Sequence, residues 1–300
     1  CGCDNNHKFT RKMNAAELIN CVEIGLIYGI AAIGIFLTFR VINFPDMTCD
    51  GSFVLGAAIS GVLIRSGANP WLAVVASCAG GAFAGLATGV INSCFRVSDL
   101  LSGILVSFML YSVNIRVMGG IPNISLGNAT TIFSNANTLL ILSLLCSLVV
   151  AKLIWLFSTD FGLGMRSVGQ SAVVAANYGV NTKIATVLIL MISNALIGLS
   201  GAIFNQQQGF VDVSQGIGTL IVGLAAVIMG EKLFRSRSYF IAIPACVIGS
   251  IVYRIFVCFA LHSDLFGLKT HDLNLVTGVL MIAAMAMPKF WRKSCCSCKT

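Results

Sequence analysis

The sequence predicts an all-α polytopic membrane protein with about eight or nine transmembrane helices, an inverted repeat and broken helices. Three observations predict it. Charged residues make up only 10% of the 300 positions, against about 25% in a soluble domain. Hydrophobic residues reach 57%, with a mean hydropathy of +0.91. The apolar runs are about 20 residues long and unbroken, which suits spanning helices rather than alternating barrel strands. This composition excludes a disordered chain and leaves too little polar surface for a soluble enzyme.

In chain order, residues 1–12 form a polar N-terminal extension, and Met13 is a plausible natural start. A transmembrane domain spans 13–291, and 292–300 is a Cys-rich tail read as cytoplasmic. Nine apolar segments are read at about 17–39, 50–66, 70–92, 98–118, 137–158, 183–204, 215–230, 239–261 and 272–288. The second and seventh are short for a full span, which indicates broken or tilted helices. Gly81, Gly85 and Gly89 recur every four residues in the third segment and should give a neighbouring helix close approach.

Orientation is read from Lys and Arg in the connections. With nine crossings and an inside C-terminus, Arg40, Arg96, Arg166, Lys183, Lys232, Arg235, Arg237, Lys289, Arg292, Lys293 and Lys299 lie inside. Arg65, Arg116 and Lys269 lie outside, as do Lys8, Arg11 and Lys12 at an extracytoplasmic N-terminus. The net charge of +8 is thus a matter of topology, and no nucleic-acid partner is expected. Cysteines in the apolar runs act as small hydrophobes. The terminal cysteines are read without a metal site, and no cofactor is expected.

A repeat is hidden in the connections. Phe44-Pro45-Asp46-Met47-Thr48 comes after the first segment, and Phe210-Val211-Asp212-Val213-Ser214 after the sixth, at an offset of 166. Each copy precedes a short Gly-rich segment, and in the nine-span count the copies face opposite sides. That pattern marks an inverted-topology repeat, with solute handled at the repeat interface. Asn43, Asp46, Asp50, Gln208 and Asp212 are the polar groups at these junctions. They are read as lining or shaping a translocation path, and helix capping by the aspartates is compatible with that role. Glu23 is read as snorkelling or as an interhelical contact.

The chain carries no P-loop, no H-E-x-x-H and no G-x-S-x-G, so it is not read as an enzyme. The connection from Asp160 to Thr182 is much longer than the other inner ones. Its second half reads as a short Ala-rich helix stopped by Gly179. Such an element is too apolar for a free linker; it calls for a partner groove or lies on its own bundle or in the membrane interface. Ala175 and Ala176 are small enough for close docking, and Arg166 is placed to bond an acidic group on that partner.

At Leu37–Thr48, with Asp50-Gly51-Ser52-Phe53 after it, the chain resembles the permease subunits of bacterial ABC importers of the branched-chain amino acid/ribose superfamily. The subgroup described as tryptophan/tyrosine importers is the most similar. Phe161–Asn181, including Gly164, Arg166, Gly169, Ala175, Ala176, Gly179 and Asn181, is similar to that family's ATPase coupling loop. Asn205–Glu231 matches as well, while Cys49, Gln215 and the Cys-rich ends depart from the pattern. The resemblance implies a permease domain in the bacterial inner membrane, in contact with lipid. Its implied partners are a second permease subunit, identical or paralogous, ATP-binding subunits and an extracytoplasmic solute-binding protein. The implied cargo is a small solute of the aromatic or branched-chain amino acid type. An ion-coupled secondary transporter is the alternative from the residues alone.

Overall fold

The structure, a computed structural model, describes residues 15–127, 129–134, 137–234, 239–262 and 278. The N-terminal extension, most of the ninth apolar segment and the Cys-rich tail lie outside the described residues.

Ten α-helices are described: α1 (Ala15–Phe36), α2 (Thr48–Arg65), α3 (Pro70–Phe95), α4 (Asp99–Val117), α5 (Thr138–Ser158), α6 (Asp160–Gln170), α7 (Ala172–Asn177), α8 (Thr182–Gln208), α9 (Thr219–Phe234) and α10 (Tyr239–His262). Eight stretches among the described residues are long and apolar enough to cross a membrane, one for each of the first eight segments read from the sequence. Within lipid a single segment satisfies all its backbone groups on its own only as a helix, which is why these runs take that form. A small antiparallel pair, β1 (Asn123–Ser125) and β2 (Phe210–Asp212), sits between span ends, with Ile124 opposite Val211. Sequence reading missed this pair, because three-residue strands leave no periodic signal.

Helix α8 is the centre of the bundle. It packs on α1, α2 and α3. Lipid tails are as apolar as leucine, so close packing and interhelical hydrogen bonds hold such helices together. The glycine stripe of α3 does this work. A methyl at Gly81 would strike the Asn194 carbonyl, one at Gly85 the Leu190 carbonyl, and one at Gly89 would lie 2.9 Å from Val187 Cα. The pairing order shows that α3 and α8 run antiparallel. Gly56 of α2 meets Gly198 of α8, and since Ser52 bonds Asn194 while Ala57 accepts from Asn205, α2 and α8 run parallel. Where these helices meet α1, Tyr28, Phe53 and Phe204 form an aromatic cluster with centroids 5.6–5.7 Å apart.

Two groups of helix ends define two sides. Arg40, Arg96, Arg166, Lys183 and Lys232 mark one, and Arg65 and Arg116 the other. The excess of basic residues on the Arg40 side is the asymmetry expected of a cytoplasmic face. Large apolar side chains cover the outward faces of α3, α4, α5 and α10, with Phe108 80% exposed, as suits contact with lipid or with another apolar chain.

Candidate functional site

The repeated motif falls at two helix breaks. Beyond Phe36, α1 loosens into a π-helical turn over Leu37–Val41, and the chain then turns back into the bundle and starts α2. At the other break, α8 ends at Gly209 in the left-handed conformation, φ +76°. The chain turns back along α2 through β2 and a 3₁₀ turn at Val213–Gly216, then starts α9. Val211 lies against Gly61, and Gly216 against Val54 and Asp50. Ser193 of α8 donates to the Gly34 carbonyl, and Ser200 to that of Ile27, so α1 and α8 are antiparallel. The pair α1–α2 is therefore inverted relative to α8–α9, as the motif predicted.

Asp46 is fully buried. Its Oδ1 accepts the Thr48 N–H at 2.9 Å, and its Oδ2 accepts Asn194 Nδ2 at 2.7 Å. Ser52 Oγ donates to Asn194 Oδ1 at 2.7 Å, and the Thr48 and Thr88 hydroxyls meet at 2.7 Å. One polar network thus ties α2, α3 and α8 together in the apolar interior. The buried thiol of Cys49, atypical for the family resemblance, donates to the Asp46 carbonyl at 3.2 Å.

Asp50 joins the two breaks. Its Oδ1 accepts the Leu220 N–H at 2.9 Å and its Oδ2 that of Gly218 at 3.3 Å. A carboxylate in the first turn of α2 therefore caps the start of α9, where free N–H groups and the helix dipole favour a negative charge. Acceptors gather on the same segments. Asn114 Nδ2 donates to the Gly51 carbonyl at 3.2 Å. Its Oδ1, Gln215 Oε1 and Thr219 Oγ1 are buried without a hydrogen-bond partner among the described residues.

The other junction residues lie at the two surfaces. Asp212 is on the Arg65 side. It accepts the Ser214 N–H at 2.7 Å, the Ser214 hydroxyl, and Asn123 Nδ2 at 3.1 Å. The Ser214 hydroxyl above all holds its carboxyl below the usual aspartate range; burial opposes this, and the Ser214 amide and Asn123 add to it. Gln208 donates to Gln207 at 2.9 Å, and Gln207 donates to Asn20 and Glu23 of α1, the interhelical contact expected of Glu23. Asn43 is exposed at the Arg40-side end and donates to the Gly169 carbonyl at 3.0 Å. It belongs with the α6–α7 element rather than with Asp50.

That element is two helices, not one. Thr159 caps α6 by accepting from the Gly162 N–H, and Ser171 caps α7 by accepting from that of Val174. Gly179 (φ +83°) ends the turn and Asn181 caps α8. Gly164 lies against Val180. Two expectations are corrected here. Ala175 is 0% exposed, packed inside its own chain, so no partner can rest on it. Ala176 is exposed, beside Val173 (72%) and Tyr178 (83%). Arg166 also turns inward. Its guanidinium lies 4.5 Å from the Tyr239 ring centroid, 5.1 Å from that of Phe157 and 5.8 Å from that of Phe240. It donates to the Phe157 carbonyl at 3.0 Å, so it fastens α6 to α5 and α10.

Sequence reading did not place Asn194 or Thr88 among the site residues. The signal was present for Asn194, an amide midway along a 27-residue apolar helix. A polar group at such a depth needs a partner.

The family model for the branched-chain amino acid transport system permease component matches residues 18–285. A tyrosine transport system permease protein of Clostridioides difficile is 37% identical, covering 90% of this chain and 90% of that protein. An uncharacterized protein of Rickettsia prowazekii is 31% identical over 91% and 98% of the two chains. The D-allose transport system permease protein of Escherichia coli is 23% identical over 83% and 76%.

Proposed function

Given that this chain belongs to the branched-chain amino acid transport system permease family, and so is a multi-pass protein of the bacterial inner membrane, we propose that it forms half of the translocation path of an ABC importer for an amino acid, with an aromatic side chain on the cargo. A second permease subunit supplies the other half. ATP-binding subunits dock on α6–α7 at the Arg40 side, taken as cytoplasmic, and a solute-binding protein delivers cargo at the Arg65 side.

The observation that carries this reading is the α6–α7 element. It is anchored to the bundle through Arg166 and Met165, yet it presents Val173, Val174, Ala176 and Tyr178 outward. An apolar face on a basic, extramembrane surface suits a protein groove. At the breaks, the carboxylate of Asp50 and the acceptors of Asn114, Gln215 and Thr219 suit a solute that brings N–H donors, as an amino acid does. The tyrosine transport relative favours an aromatic cargo.

The test is reconstitution with a cognate ATPase and solute-binding protein. Wild type should import labelled L-tyrosine only with ATP. Val173→Asp combined with Tyr178→Ala should insert normally, fail to co-purify with the ATPase and lose uptake. Co-purification and uptake at wild-type levels would refute docking at this face. Uptake driven by an ion gradient without ATP would favour a secondary transporter.

A further inference from the structure

The Arg40-side end of the first break is pinned to α6 at a single joint. The carbonyl of Val41, last residue of the π-helical turn, faces Gly169 so closely that a methyl there would collide with it, and would lie 3.1 Å from Ile42 Cα. Asn43 has φ +54°, a left-handed conformation that Asn tolerates better than most residues, and donates to the Gly169 carbonyl at 3.0 Å. The next two residues leave little slack. Phe44 is buried, Pro45 has its φ fixed by its ring, and the residue before a proline is itself restricted. Next comes Asp46, bonded to Asn194 of α8, and a turn later Asp50, bonded to the start of α9. Arg166, a side-chain anchor of α6, leads to α5 and α10 and bypasses both breaks.

From this chain of contacts we infer that Gly169 and Asn43 form the joint that carries movement of the α6–α7 element into the two helix breaks. Asn43 is a positioning residue, acting on the path through Asp46 and Asp50 and touching no cargo. Its small donor side chain serves the joint, and Gly169 serves it by admitting the Val41 carbonyl. π-Helical turns inside helices often mark functional positions, and here one gives the end of α1 room to adjust as the joint moves. The role in transport rests on the importer reading above, whereas the mechanical link belongs to the chain alone.

Two measurements test the inference. In the purified chain, Asn43→Gly keeps the backbone conformation but deletes the bond, and Asn43→Asp replaces the donor with an acceptor facing the Gly169 carbonyl. Both should speed amide exchange of residues 48–51 by about fivefold while α5 stays unchanged. In the reconstituted importer, both variants should keep ATPase binding and ATP hydrolysis, yet move about tenfold fewer tyrosines per ATP. Gly169→Ala should do the same, and if it fails to fold, the Asn43 pair still decides. Unchanged exchange at 48–51, a wild-type uptake-to-hydrolysis ratio, or loss of ATPase binding would each overturn the joint. A wild-type complex that hydrolyses ATP without importing tyrosine would refute the cargo assignment instead, and hydrogen exchange alone would then decide the joint.

Discussion

The two helix breaks begin with nearly the same residues and end in different chemistry. Phe44–Thr48 brings its aspartate into the bundle, where Asn194 and the Thr48 amide receive it with no exposed surface. Phe210–Ser214 leaves its aspartate at the rim, where Ser214 and Asn123 receive it half-buried. The difference arises from the stretch of chain between each aspartate and the next helix. In the first copy, α2 starts two residues after the aspartate, so Asp46 lies beside the start of the spanning helix. In the second, a 3₁₀ turn and the Gly216–Gly218 stretch intervene, so α9 begins seven residues after Asp212. Asp50 of the other copy caps it. A repeated motif thus fixes a local turn, while the length of chain after it sets which carboxylate meets the next helix.

Substitution should separate the three aspartates. Asp46→Ala should cost most. It strands one N–H of the buried Asn194 amide, whose nitrogen keeps its bond to the Leu190 carbonyl, and the Thr48 N–H, and roughly 3 kcal/mol of stability should go with them. Thermal unfolding in detergent should show the lowest midpoint of the three variants. A midpoint equal to wild type would mean that the buried network does not hold the break. Asp50→Ala should come next, at about 2 kcal/mol, because two backbone donors at the start of α9 lose a charged acceptor. It should also depress uptake, since it parts the two halves of the repeat. Normal uptake at normal expression would make Asp50 a cap and nothing more.

Asp212→Ala should cost least, about 1 kcal/mol, the usual loss of an N-cap. This effect should depend on pH. The folded carboxyl lies below its ordinary value of 3.8, so its contribution is complete above that value. It fades as pH falls through the lower folded value. Wild type and Asp212→Ala should therefore converge in stability as the pH falls through that lowered folded value. A gap that persists in acid would assign the loss to packing of β2 against β1.

Much of this was legible because it is written locally. Hydropathy over about 20 residues marks a span, and glycine every fourth residue marks a close face. The breaks showed as short segments behind a turn motif. What was not legible depends on partners far away in the chain. Arg166 reads as an outward cation until Tyr239 and Phe240 arrive from α10 to receive it. Ala175 reads like Ala176 until the fold buries one and exposes the other. Asn43 reads as a path residue until α6 brings Gly169 to it, 126 positions on. The polar hub at Asn194 showed only half its logic, since Asp46 lies 148 residues earlier.

The glycine seam between α3 and α8 has a consequence for the birth of the protein. Gly81 waits for Asn194, which is 113 residues further along the chain (194 − 81). At a synthesis rate of about 5–20 residues per second, α3 spends roughly 6–23 seconds before its counterpart leaves the ribosome. During that interval its notched face has nothing of its own chain to seat against. Any passing helix with a shallow ridge can occupy it. Membrane insertion must therefore shelter α3, or release it late, for the bundle to close around its own α8.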